Sequence, residues 1–85
     1  MSRIVIYTAA CCPYCVRAVN LLRRKGAKFE EIDVTMRPAL RAEMRAKASG
    51  CNSVPQIWIG DRHIGGCDAL HALDAAGKLD PLLAG

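Results

Sequence analysis

Aromatic side chains are scarce in this chain, with Tyr7, Tyr14, Phe29 and Trp58 making up the whole set among 85 residues. Its basic residues are spread along the chain and do not cluster beside those rings. The net charge of +4 therefore does not read as a nucleic-acid-binding face. Long apolar runs are also missing, and nothing approaches the ~20 residues needed to cross a bilayer. Arg3, Ile4 to Tyr7 and Cys11 have the outline of a lipoprotein leader, but the apolar run is about four residues where a signal core needs roughly 7 to 15. No repeat, linker or low-complexity tract interrupts the order of elements. There is no second C-x-x-C and no H-x-x-x-H, so Cys12 and Cys15 lack the partners of a four-ligand zinc site, and no metal is expected.

Cysteine, by contrast, is abundant. Five residues, Cys11, Cys12, Cys15, Cys51 and Cys67, are many for this length. The odd count and the adjacent Cys11-Cys12 pair argue against a secreted disulfide framework and for a reducing, cytoplasmic setting. With 52% hydrophobic and 24% charged residues, the chain is expected to form one compact domain over residues 1–85, with room for one core and one site.

The stretch Cys12-Pro13-Tyr14-Cys15 organises the rest. Two thiols separated by two residues can close a small disulfide ring and open it again. Upstream, Ile4 to Tyr7 reads as a buried strand, and downstream Val16 to Lys25 reads as a helix, so the pair falls where a strand hands over to a helix N-terminus. Unpartnered backbone N–H groups and the positive dipole end favour a thiolate there, which makes Cys12 the expected nucleophile. Pro13 suits the first helical position, where no N–H donor is needed.

In chain order, a central strand at Arg3 to Tyr7 precedes a helix from Pro13 to about Lys25, closed by Gly26. Phe29 to Val34 is a more polar strand, expected near an edge. Asp33 or Thr35 is expected to cap a second helix over about Met36 to Ala48. On that helix Met36, Leu40 and Met44 form the core stripe, and Arg37, Arg41 and Arg45 a solvated one. Ile57 to Ile59 and Arg62 to Ile64 read as a hairpin around Gly60-Asp61. A third helix follows Gly65-Gly66, with Leu70 and Leu73 inward, and Leu79, Leu82 and Leu83 form a closing segment. The order is β-α-β-α-β-β-α in the α/β class. The first two strands pair parallel, and the last two antiparallel, in one four-stranded mixed sheet flanked by helices.

Three landmarks stand in fixed order: Cys12-Pro13-Tyr14-Cys15, Ser53-Val54-Pro55 and Gly65-Gly66-Cys67-Asp68. Together they resemble the glutaredoxin family, in its bacterial glutaredoxin 3 type, over essentially the whole chain. The resemblance implies a thioredoxin-like fold, a cis peptide before Pro55, and a glutathione groove from Tyr14 past Val54 to Gly66, Cys67 and Asp68. It implies a glutathione-dependent thiol–disulfide oxidoreductase that reduces glutathione mixed disulfides and protein disulfides. Catalysis falls to Cys12 and Cys15, with glutathione as co-substrate and no prosthetic group. Partners would be glutathione, glutathionylated or disulfide-containing proteins and, indirectly, an NADPH-dependent glutathione reductase. A monomer is expected, without nucleic acid or membrane.

The competing reading is a dimer that binds a [2Fe–2S] cluster through Cys12 and glutathione, which thiolate chemistry permits. Relatives of that kind usually lack a proline after the first cysteine. Cys11 and Cys51 are expected to be incidental, Cys67 to behave as a small hydrophobe beside the groove, and His63, His71 and Trp58 to serve packing or the surface. The chain departs from the family pattern at Ala9, where glutaredoxins usually carry a lysine for the glycine carboxylate of glutathione, and at Cys51-Asn52. Lys47 and Arg45 are the cations left near that end, and the expectation is a weakened clamp on the glycine carboxylate, with glutathione held chiefly by Val54 and the Gly66 to Asp68 end.

Overall fold

The computed structural model describes residues 3–85. Its elements are β1 (Ile4–Thr8), α1 (Pro13–Arg24), β2 (Glu30–Asp33), α2 (Pro38–Lys47), β3 (Gln56–Ile59), β4 (Arg62–Gly65), α3 (Cys67–Ala75) and α4 (Leu79–Ala84). The expected order is present, and the closing leucine segment is a short helix of its own. The sheet runs β2-β1-β3-β4, with β1 parallel to β2 and antiparallel to β3, and β3 antiparallel to β4. No helix of the described residues is long and apolar enough to cross a membrane.

Strand periodicity explains why both faces of β1 are covered. Ile4 and Ile6 point to one side, into a cluster with Ala18 and Leu22 of α1, Leu70 of α3 and Leu79 of α4. Val5 and Tyr7 point to the other, against Met44 of α2, Val34 and Trp58. The polar strand β2 is at the edge, as expected, with Glu30, Glu31 and Asp33 exposed. Gly26, at φ +68, closes α1: its N–H bonds the Arg23 carbonyl at 2.9 Å, and the Ala27 N–H bonds that of Leu22 at 3.1 Å. Lys25 then joins this end to α3 and α4 through Asp74 at 2.7 Å and Asp80 at 3.0 Å.

The start of α2 differs from expectation. Met36 lies outside the helix, 95% exposed and at φ +55, and is not part of the core stripe, which begins at Leu40. Pro38 is the reason. It suits the first turn but disfavours helical backbone at Arg37, so the helix cannot extend further toward the N-terminus. Neither Asp33 nor Thr35 caps it. The Asp33 carboxylate accepts the Thr35 N–H at 2.8 Å, and the Thr35 hydroxyl accepts the Ala10 N–H at 2.7 Å, which ties this loop to the one carrying the cysteines. Arg41 and Arg45 are not merely solvated, since both donate to Asn52.

Left-handed backbone disfavours a side chain such as methionine, and an exposed Met36 contributes little packing in return. Met36→Gly is expected to raise the unfolding free energy by about 0.5–1 kcal/mol, read as a higher urea midpoint at unchanged m-value. A loss of stability would show that the Met36 side chain makes a contact that outweighs its backbone.

Candidate active site

Cys12 is the N-cap of α1. Its backbone is extended (φ −113, ψ 101), its carbonyl accepts the first helical bond from Val16 N–H at 3.2 Å, and its Sγ accepts the N–H of Cys15 at 3.3 Å. The same sulfur lies 3.8 Å from the Val54 carbonyl oxygen, so it stands between the helix terminus and the loop before β3. Pro13 occupies the first helical position, as expected. All five cysteines are free thiols.

The two thiols of the pair have different surroundings. Cys12 is half-buried, while Cys15 is only 3% exposed. Burial pushes the Cys15 thiol up to about 12. The Cys12 side chain adds to the rise, and a backbone hydrogen bond from Ala9 partly offsets it. At neutral pH Cys15 is therefore a protonated thiol.

Opposite Cys12, the Val54–Pro55 peptide is cis. A Cβ added to Gly66 would lie 3.4 Å from the Pro55 carbonyl oxygen, so these two loops run nearly in backbone contact. Gly66 is also the N-cap of α3 and supplies no side-chain bond to that helix, which leaves the first-turn N–H groups at Cys67 and Asp68 unclaimed by a cap. Between the walls is a cleft of ≈380 Å³ lined by Tyr14, Val54, Pro55, Gly66, Cys67 and Asp68, with Ser53 and Ala69 completing it. All six groove residues named from the sequence are thus brought together beside the Cys12 loop.

The remaining expectations divide. Cys11 and Cys51 are exposed, and Cys67 is buried, with its thiol pushed up by burial and its Sγ 3.4 Å from His71 Nδ1. His63 stacks on Trp58 and contacts Gln56 Oε1 at 2.7 Å, and Trp58 packs edge-on against Tyr7, so His63 and Trp58 both serve packing. Lys47 does not replace the lysine absent at Ala9. Its ammonium donates to the Tyr7 hydroxyl at 3.2 Å, in a separate, larger cleft of ≈590 Å³ that neither thiol lines. Arg45 does not line the cleft between Tyr14 and Asp68 either, and one of its N–H groups is engaged by Asn52 at 3.2 Å.

Sequence reasoning overlooked Arg17, whose guanidinium lies 6.0 Å from the centre of the half-exposed Tyr14 ring. The spacing of three residues on one helix was the available signal. It also overlooked Thr8 and Glu31 beside Cys15, a pairing across two strands that only the register reveals.

The glutaredoxin family model matches residues 4–64. A glutaredoxin of Pseudomonas aeruginosa is 61% identical over 83 residues, covering 98% of this chain and 98% of that one. Glutaredoxin 3 of Escherichia coli is 54% identical over 83 residues, covering 98% and 99%. Among solved structures, the crystal structure of a buckwheat glutaredoxin–glutathione complex superposes with a TM-score of 0.87 at 31% identity, over 98% of this chain and 77% of that one. The four-stranded sheet with its flanking helices is accordingly the thioredoxin-like fold. With thiols, fold and sequence in agreement, the chain belongs to the glutaredoxin family of thiol–disulfide oxidoreductases and is like its glutaredoxin 3 type.

Proposed function

We propose that this protein is a cytoplasmic, monomeric, single-domain reductase of glutathione mixed disulfides and protein disulfides that uses glutathione as its co-substrate. The observation that carries the proposal is the placement of the half-buried Cys12 sulfur. It lies against Val54, a wall of the cleft that runs to the open N-terminus of α3, while Cys15 is held back as a buried thiol. The buckwheat relative's complex with glutathione supports the choice of ligand.

In this reading the Val54 backbone pairs with the cysteinyl backbone of glutathione as an added strand would. The N–H groups at Cys67 and Asp68 take the α-carboxylate of the γ-glutamyl end, and the Asp68 carboxylate meets its ammonium. Tyr14 and Pro55 form the apolar sides. Cys12 thiolate attacks the glutathione sulfur of a mixed disulfide, a Cys12–glutathione bond forms, and the target thiolate leaves and takes up a proton. A second glutathione then attacks that bond, releasing glutathione disulfide and free Cys12. With a protein disulfide, Cys12 first bonds one target sulfur. Cys15 then attacks Cys12, the ring closes, and the reduced target leaves. Two glutathiones reopen the ring, and an NADPH-dependent glutathione reductase recycles the disulfide they form.

The decisive experiment couples reduction of a small glutathione mixed disulfide to NADPH oxidation through glutathione reductase. Turnover that depends on glutathione is expected, and turnover supported by thioredoxin reductase but not by glutathione would overturn the reading. Asp68 is exposed, so its ion pair with the ligand ammonium is a wet one. Asp68→Ala should cost only about 0.2–1 kcal/mol, up to about fivefold in kcat/KM for glutathione, and the loss should shrink as salt is added. A much larger, salt-independent loss would mean that Asp68 holds the structure of α3 and not the ligand.

A further inference from the structure

Cys15 lies in the wall of a cleft separate from the one between Tyr14 and Asp68. This second cleft, of ≈210 Å³ along α1, is walled by Thr8, Cys15, Asn20, Arg23 and Glu31. One of its charges is anchored. The Thr8 hydroxyl donates to Glu31 Oε2 at 2.9 Å, and Thr8 is itself only 3% exposed, so the carboxylate is tied to a fixed point beside the cysteine. Parallel pairing of β1 with β2, which sets Ile6 opposite Glu31, makes that hydrogen bond possible. The charged or titratable groups facing Cys15 are Arg23 from α1, Glu31 from β2 and Cys12 from the loop. Arg23 has no hydrogen-bonding anchor among the described residues and is exposed.

We propose that Glu31, seated by Thr8, is a positioning residue for the second half of the reaction: its fixed negative charge opposes the charge that must develop on the Cys15 sulfur and thereby divides turnover between the glutathione route and ring closure. The inference rests on the roles proposed above for Cys12 and Cys15. In ring closure the Cys15–Cys12 sulfur bond forms and the Cys12–glutathione sulfur bond breaks. The electron pair leaves on the glutathione sulfur, which takes a proton from water. The Cys15 proton passes to water in the second cleft, which is large enough to hold it. A carboxylate across that cleft opposes the negative charge that must appear on Cys15, so closure is slowed and the Cys12–glutathione adduct lives longer for a second glutathione to attack. After burial, the Cys12 side chain and the Cys12 charge, the Glu31 charge is a further contribution that raises the Cys15 thiol. Attack of glutathione on Cys12 itself needs no proton from Cys15, so the monothiol route escapes the restraint.

Two measurements test this. In a Cys12→Ser background, the pH dependence of Cys15 alkylation by iodoacetamide, located by peptide mass mapping, is compared with and without Glu31→Gln. The midpoint is expected to fall by about half to one pH unit, while Glu30→Gln, which removes a carboxylate paired with Arg3 on the same strand, leaves it in place. A midpoint that stays or rises overturns the proposal whatever else is seen. In the chain with both thiols, the Cys12–glutathione adduct is formed with glutathione disulfide and the release of glutathione is followed. Glu31→Gln should release it about three- to tenfold faster at neutral pH, with the two rates converging at alkaline pH. Slower release would make Glu31 a proton acceptor and overturn the proposal. A shifted midpoint with unchanged release would show that Cys15 is not the closing thiol. In that case the assignment of roles fails, and the partition with it, although the charge coupling is real.

Discussion

Cys12→Ser is expected to reduce turnover of every disulfide substrate to background, whereas Cys15→Ser keeps glutathione mixed-disulfide reduction near the wild-type rate and loses about tenfold or more of protein-disulfide reduction. The asymmetry follows from position. The Cys12 sulfur receives a helix N-terminal N–H, touches the Val54 wall and is partly open to substrate, so the first sulfur–sulfur bond of either route must form there. Cys15 is buried, and its thiol is pushed up to about 12, chiefly by that burial, so at neutral pH it is a poor first nucleophile and can act only on a sulfur already held against it. Parallel assays of a small glutathione mixed disulfide and a protein disulfide with both variants check this. Retained activity in Cys12→Ser, or loss of both activities in Cys15→Ser, would reverse the roles.

Leu70→Ala is expected to destabilise the protein by about 2–5 kcal/mol, a large part of the stability of so small a chain. Leu70 is fully buried in the cluster it shares with Ile4, Ile6, Leu22 and Leu79, where it fastens the middle of α3 to the sheet and to α1. Truncation leaves a cavity where α1, α3 and β1 meet. At about 4–8 °C per kcal/mol for a domain near this size, the melting temperature should fall by roughly 8–40 °C. The first turn of α3 is a wall of the cleft proposed to hold glutathione, so the surviving folded fraction should also show a raised KM for glutathione with kcat changed less. A loss of under about 1 kcal/mol would show that α3 docks mainly through its ends, by way of Gly66 against Pro55 and Asp74 against Lys25.

Where local chemistry decides the outcome, the sequence was legible. β1 and α1 declared themselves through apolar strand residues, Pro13 at the first helical position and Gly26 just past the last turn, because each is a short-range preference of backbone and side chain. β2 was readable as an edge from its carboxylates. The three landmarks at Cys12, Pro55 and Gly66 pointed to one groove, and all six groove residues do line one cleft.

Met36 was misread because its helical spacing to Leu40 and Met44 is genuine, while the Arg37-Pro38 restriction that breaks the helix there acts on the backbone and overrides the pattern. Thr35 and Asp33 had the composition of caps, yet the competing partner of Thr35 was Ala10, twenty-five positions away, a contact no local signal reports. Lys47 was one of the cations left near the end of the groove where Ala9 stands, but its ammonium bonds the Tyr7 hydroxyl and lines a different cleft.

By itself, then, the sequence determined the elements, their order, the pair of thiols and the family, since these follow from residue chemistry at short range. Only the tertiary structure decided how far each thiol is buried, which cations reach the cleft, and that Thr8 holds a carboxylate beside Cys15. Each of these depends on strand register and helix docking, which bring together residues that no spacing along the chain relates.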